Sequence, residues 1–127
     1  MAGRDFDPEF YTRFAANCQT RLAEASALLD ACARGRTSGA AALQGLRGCL
    51  HILSGEAKLL ELRHFSRAVT AFSGRVRQLD GQLNGFQAAT MRTWCERLAR
   101  AAQACADPNN EASATRQLDE LERLLAS

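Results

Sequence analysis

The sequence predicts an all-α fold, and three observations support this prediction. Alanine and leucine dominate the 127 residues, β-branched residues are scarce and there are only two prolines, a composition that favours helices over strands. Apolar residues recur at spacings of three and four along five segments, which is the period of one helix face. No segment shows the alternation typical of a half-buried strand. We therefore expect one domain over residues 1–127, an antiparallel four-helix bundle with a fifth, C-terminal helix.

The first two helices have clear start signals. Asp7 can cap the first helix and Pro8 suits its first position, so this helix should cover Pro8–Ala33. Its apolar stripe consists of Phe10, Phe14, Cys18, Leu22, Ala25, Leu29 and Cys32. Ser38 can cap a second helix over about residues 39–60. That helix has the stripe Leu43, Leu46, Leu50, Leu53, Ala57 and Leu60.

The other three helices follow from the same spacing and from breakers. The third has the stripe Phe65, Val69, Phe72, Val76, Leu79 and Leu83, and glycines at 81 and 85 predict its end between residues 80 and 85. The fourth, over about residues 86–106, has the stripe Phe86, Met91, Trp94, Cys95, Leu98, Ala102 and Cys105. Residues 107–110, Asp-Pro-Asn-Asn, break the chain before a fifth helix over Glu111–Ala126. We expect Trp94 and the phenylalanines to lie in the core.

Composition excludes several classes of function. The net charge of +2 is too small to predict a nucleic-acid partner, and no apolar run approaches the roughly 20 residues that span a bilayer. The N-terminal residues lack the apolar core of a secretory signal, so we expect a cytoplasmic protein with no membrane partner. Five cysteines without Cys-x-x-Cys spacing indicate buried free thiols and no metal site. Paired carboxylates and a nucleophile–base constellation are missing, which predicts a protein that is not an enzyme and has no cofactor of its own. The narrow apolar stripes of the helices predict a monomer.

One histidine stands apart from the apolar pattern. His51 points about 140° away from the stripe of the second helix, so it should face water. Within about 60° of it on the helix surface lie Gln44, Arg47, Gly48, Gly55 and Lys58. A glycine inside a helix costs about 1 kcal/mol relative to alanine. The two glycines therefore predict either clearance for a partner at His51 or close packing against another helix.

Residues 46–72 resemble the histidine phosphotransfer (HPt) domain of bacterial phosphorelays. The pattern of that family is His-x-Leu-Lys-Gly-x-Ala-x-x-Leu-Gly, and this chain matches it at His51, Leu53, Gly55, Ala57 and Leu60. A basic residue often precedes the family's histidine by four positions, where this chain has an arginine. In outline, the five predicted helices look like the N-terminal phosphotransfer domain of chemotaxis histidine kinases. The chain would be a free-standing member of that family or a piece of a longer kinase.

The chain departs from the family at three positions. Ser54 replaces the usual lysine, and Glu61 replaces the usual glycine at the end of the pattern. Ser73, with Thr70 one turn earlier, occupies the place of an acidic residue that orients the histidine in the chemotaxis-type domains. Lys58 lies on the same helix face as the histidine and can replace the missing lysine as a phosphate partner.

The resemblance implies a phosphorelay intermediate. His51 would accept a phosphoryl group from a histidine kinase or a response-regulator receiver domain and pass it to another receiver, with Mg²⁺ bound by the partner. The partner-binding and phosphate-supporting residues would be Gln44, Arg47, Gly48, Ile52, Ser54, Gly55, Lys58 and Leu59. Two alternatives remain open: a degenerate HPt-like protein that binds and regulates a receiver or kinase without carrying phosphate, and a plain helical adaptor. His64 is expected to be a surface or helix-start residue.

Overall fold

Five α-helices make up most of the chain in the computed structural model, which describes residues 6–79 and 81–126. They are α1 (Pro8–Ala33), α2 (Gly39–Leu59), α3 (Arg63–Arg77), α4 (Gly85–Cys105) and α5 (Glu111–Ala126). A short 3₁₀ turn at Pro108–Asn110 precedes α5. The described residues contain no strand, so the predicted all-α bundle is confirmed.

Side chains cap three of the helices at their N-termini. Asp7 accepts a hydrogen bond from the backbone of Glu9 at 2.9 Å, and Ser38 accepts one from the backbone of Ala41 at 3.1 Å. Both predicted caps are therefore confirmed. At α4, Asn84 and Gln87 each bond the other's backbone N–H, at 2.8 and 3.0 Å, and form a reciprocal capping box.

The third helix is shorter than the sequence predicts. It ends at Arg77 rather than between residues 80 and 85, and the chain then turns, with Leu79 bonding back to Val76 and Gln82 to Leu79. Leu79 and Leu83 still pack against the core as half-buried side chains. The spacing of these two leucines predicted their burial correctly. They are packed against the core from the turn that follows α3 and not from the helix itself.

Two aromatic residues assigned to the core lie on the surface instead. Phe10 is 49% exposed and Phe86 is 82% exposed. In α1 the core-facing position is Tyr11, which is 100° further round the helix and in line with Cys18, whereas Phe10 lies at the edge of the stripe. In α4 the first buried residue is Ala88, two positions after Phe86. The other predicted stripe residues of the first four helices are buried or packed against the core.

The order of the helices around the core differs from their order in the chain. α1 packs most extensively against α4 and also contacts α2, while α2 contacts α3. The fifth helix lies between α3 and α4, which touch each other only narrowly, through contacts such as the edge-on rings of Phe72 and Trp94. An ion pair joins Arg67 of α3 to Glu122 of α5 at 3.3 Å. The five helices thus share one core, and α5 completes it rather than covering a closed four-helix ring.

Four of the five cysteines are buried free thiols, as the sequence predicts, and Cys32 is half-buried. Burial raises the pKa of Cys49 to about 11 and that of Cys95 to about 12. Burial also raises the pKa of Cys18, and the nearby carboxylate of Glu56 raises it further. These thiols are core packing groups and not nucleophiles at neutral pH. Within the described part of the chain, no helix has the length and apolar character to cross a membrane.

Candidate functional site

The site is built on the face of α2 that points away from the core. The opposite face of this helix buries Leu43, Leu46, Leu50, Leu53 and Ala57. Since these side chains fix the rotation of α2, His51 is held on the solvent side, where it is exposed as predicted. No described residue forms a hydrogen bond or an ion pair with its imidazole. The exposed imidazole is therefore not held by any described side chain.

The two glycines beside the histidine lie in open space. A Cβ atom built on Gly48 or on Gly55 would meet no atom within 4 Å. The alternative that these glycines allow close packing between helices is therefore wrong. Gly45 of the same helix shows the contrast, because its Cβ would overlap Leu28 of α1. At Gly48, three residues before His51, and at Gly55, four residues after it, the helix surface has no side chain.

Two cationic side chains flank this bare surface. Arg47 lies one turn before His51 and Lys58 two turns after it, and both are exposed. Neither forms an ion pair with any described residue. Their charges are therefore available to an anion bound at the histidine.

The other predicted partner-binding residues surround the same region. Gln44 is exposed, Ile52 is 38% exposed and Leu59 is 75% exposed. Ser54 is half-buried. The structure therefore places His51 and seven of its eight predicted neighbours on the exposed surface of one helix, and the eighth at the edge of that surface.

The polar residues of α3 do not hold the imidazole. Thr70 is exposed and donates its hydroxyl hydrogen bond to the backbone carbonyl of Ser66 at 2.9 Å. Ser73 is half-buried and has no hydrogen bond to the histidine. The orienting partner implied by the chemotaxis-type domains is thus not supplied by either residue.

The C-terminal end of α2 has a left-handed residue. Glu61 has a φ of 57°, whereas the described non-glycine residues otherwise keep negative φ. Its N–H donates to Lys58 at 3.1 Å and the N–H of Leu62 donates to Ala57 at 2.9 Å, the bonding pattern of a Schellman motif. At the end of α1 the same pattern is built around Gly35, with a φ of 74°. A glutamate therefore occupies a backbone position that favours glycine.

The second histidine, His64, contacts another helix of the bundle. His64 lies in the first turn of α3, exposed as predicted, and its Nδ1 is 3.0 Å from the Oδ1 of Asp119 on α5. This contact joins two helices of the bundle. His64 is therefore paired with a carboxylate, whereas no described residue bonds the imidazole of His51.

Sequence reasoning missed a groove on the other side of the site. The α1–α2 groove has a volume of about 340 Å³, and its lining includes Phe10, Phe14, Asn17, Glu56, Leu59 and Leu60. The exposed Phe10 was assigned to the core, and Glu56 follows Gly55 in a position that the family pattern leaves unspecified. The one available signal was the helical angle of Glu56, which lies towards α1 rather than towards solvent.

Comparison with family models, curated proteins and solved structures finds no match for the chain. Among residues 6–79 and 81–126, no group of three or more histidine, cysteine, aspartate or glutamate side chains is placed to hold a metal ion.

Proposed function

We propose that this chain is a histidine phosphotransfer protein that carries a phosphoryl group on His51 between kinase and receiver partners of a phosphorelay. The observation that carries the proposal is an exposed imidazole without an intramolecular partner, flanked on both sides by glycines in open space. A carrier has to expose its nucleophile and let a second protein approach it closely. The His51 face meets both requirements.

The chemistry asks little of the carrier. A neutral imidazole nitrogen attacks the phosphorus of an aspartyl phosphate; the N–P bond forms, the P–O bond to the aspartate breaks, and the carboxylate is released. The partner that holds the aspartate also supplies Mg²⁺ and most of the transition-state stabilisation. The bundle needs no pocket of its own for this reaction.

Charge on this side of the molecule favours an acidic partner and a phosphorylated histidine. The two cations of the His51 face, Arg47 and Lys58, are exposed and pair with no described carboxylate. Arg47 and Lys58, on either side of His51, can form charge-assisted hydrogen bonds with a phosphoryl group on this histidine. A basic surface also speeds the encounter with an acidic partner.

The backbone at Glu61 also supports the proposal. The family pattern ends with a glycine at this position, ten residues after the histidine. Here the side chain differs, but the left-handed conformation that makes glycine favourable is present. The turn geometry that the pattern implies is therefore retained despite the substitution.

The test is phosphotransfer from a panel of phosphorylated receiver domains to the purified protein. We expect label that is stable in alkali and labile in acid, present on wild type and lost in His51→Gln. His64→Gln is the matched control, because it removes the other exposed histidine and should retain the label. Gly55→Trp fills the open surface and should abolish transfer while the protein stays folded.

Other results distinguish the alternatives. Binding to a receiver through the Gly55 surface without label would indicate a regulatory protein that does not carry phosphate. If no receiver in a broad panel binds or transfers label, His51 is not a phosphoacceptor and the proposal is wrong.

A further inference from the structure

Two contacts fix how α1 lies along α2 beside the His51 face. Nδ2 of Asn17 in α1 donates a hydrogen bond to Oε2 of Glu56 in α2 at 3.3 Å. Further along the pair of helices, the side chain of Leu28 occupies the space over Gly45. Eleven residues separate the two contacts on each helix, so the helices are antiparallel and keep one register from the first contact to the second.

This register brings Arg21 of α1 to the height of His51. Arg21 is four residues after the first contact on α1, and Ile52 is four residues before it on α2, so these two residues are level with each other. Ile52 directly follows His51 in the chain and is 38% exposed. The side chain of Arg21 therefore leaves α1 next to the edge of the His51 face.

The guanidinium of Arg21 is unpaired and in contact with solvent. Arg21 is half-buried, and it forms no ion pair with any described residue. Its nitrogens reach water, because the described residues include a single buried polar side-chain atom without a partner, which is Oε1 of Glu56. Burial raises the pKa of Cys49 to about 11; the charge of Arg21 opposes this rise and that of Glu24 adds to it. Both charges of α1 therefore lie near this part of α2.

The open glycines lie on the α1 side of the histidine. Around the axis of α2, Gly48 and Gly55 are turned about 40–60° from His51 towards α1. Arg47 and Lys58 are turned about 20–40° from His51 in the opposite direction. We call the surface of Gly48 and Gly55 the glycine floor. A partner that rests on the glycine floor has the cations of α2 on one side and the edge of α1 on the other.

We propose that Arg21 binds an acidic side chain of the receiver domain that docks on the glycine floor. The inference rests on the proposed function because it takes a receiver as the partner, but it concerns docking and not the transfer of phosphate. Charge complementarity supports an acidic occupant. Arg21, Arg47 and Lys58 border the glycine floor, and none of them forms an ion pair with a described residue.

One acidic residue of α1 restricts where the carboxylate of the partner can lie. Glu24 is exposed, and it lies level with Cys49, because the two are four residues from the second contact on their helices. It therefore borders the Gly48 end of the glycine floor, whereas Arg21 borders the middle. Since like charges repel, a partner carboxylate is favoured at Arg21 and disfavoured one turn away. Arg21 thus selects both the partner and its orientation.

The test measures binding of receiver domains without phosphate, so that no transfer takes place. Each receiver of the panel is titrated into the ¹⁵N-labelled protein, and the one that binds wild type most tightly is the probe. We expect Arg21→Gln to weaken its binding by about threefold to fivefold and Arg21→Lys, which keeps the charge, by less than about twofold. Arg21→Glu should weaken binding by at least about tenfold, because it places a second acid opposite the first.

Two controls separate docking from a general effect of charge or folding. Arg100→Gln removes the same charge from an exposed position on α4, which makes no contact with α2 among the described residues, and should leave the affinity unchanged. Thermal unfolding followed by circular dichroism shows whether each variant is folded. In a charge exchange, aspartates and glutamates of the receiver are replaced by lysine one at a time. One of these variants should restore binding to Arg21→Glu by at least about fivefold.

The outcomes for docking and for phosphotransfer are distinct. Equal affinity of wild type and Arg21→Gln, an equal loss in Arg100→Gln, or no restoration by any receiver variant would overturn the inference. Phosphotransfer to His51 from a receiver whose binding ignores Arg21 would leave the proposed function standing without it. A receiver that binds through Arg21 but transfers no label would support the inference and overturn the carrier function. If no receiver binds, both are wrong.

Discussion

Replacing Glu61 by glycine should stabilise the protein. An L-residue in the left-handed region costs about 1–2 kcal/mol, and Glu61 has a φ of 57° at the end of α2. Glycine removes that cost but makes the unfolded chain more flexible, which offsets about 0.4–1 kcal/mol. The net expectation is a gain of about 0.5–1 kcal/mol in the free energy of unfolding, or about 2–5 °C in melting temperature. Urea unfolding followed by circular dichroism measures both the midpoint and the slope.

The chain offers matched controls for this prediction. Glu61→Ala removes the side chain but keeps a Cβ, so the free energy of unfolding should change by less than about 0.5 kcal/mol. Gly35→Ala is the reverse experiment at the end of α1, where φ is 74°, and should cost about 1 kcal/mol. Equal stability of Glu61→Gly and Glu61→Ala would refute the argument from backbone conformation.

Three further predictions concern the core, the thiols and the site. Phe72→Ala should lower the free energy of unfolding by about 3–5 kcal/mol, whereas Phe86→Ala, at an exposed position, should change it by less than about 0.5 kcal/mol in the same urea assay. Because burial raises the pKa of Cys49 to about 11 and that of Cys95 to about 12, the unfolded chain ionises these thiols first. The free energy of unfolding should therefore fall as pH rises from about 9 to 12, as urea titrations at each pH would show, and a flat profile would contradict this. Arg47→Gln should slow transfer from a phosphorylated receiver by up to about fivefold at low salt and less at high salt, since an exposed charge contributes at most about 1 kcal/mol; no dependence on salt would argue against an electrostatic role.

The sequence was most informative where one local interaction decides the structure. The caps at Asp7 and Ser38 depend on a single side chain and the next turn of backbone, so they could be predicted from residue type and position. The exposure of His51 followed from helical angles, because the buried apolar stripe fixes the rotation of α2. These features need no knowledge of the neighbouring helices.

The predictions from sequence were wrong where packing against neighbouring helices determines burial or the end of a helix. Phe10 and Phe86 have the spacing of core residues but lie at helix ends, where the bundle no longer covers every side chain. The early end of α3 escaped detection because Leu79 and Leu83 are packed against the core from a turn. The unpaired oxygen of Glu56 depends on how α1 and α2 sit together, and no periodicity within one helix contains that information.

The position of α5 determines when the core can close during synthesis. α3 and α4 leave the ribosome before α5, yet the surfaces they later bury against α5 have no other cover among the described helices. Until α5 arrives, those apolar surfaces remain exposed to other nascent chains and to chaperones. The most extensive helix pair, α1 with α4, also cannot form until α4 has been made. The bundle therefore closes only after α5 has been made and does not fold helix by helix.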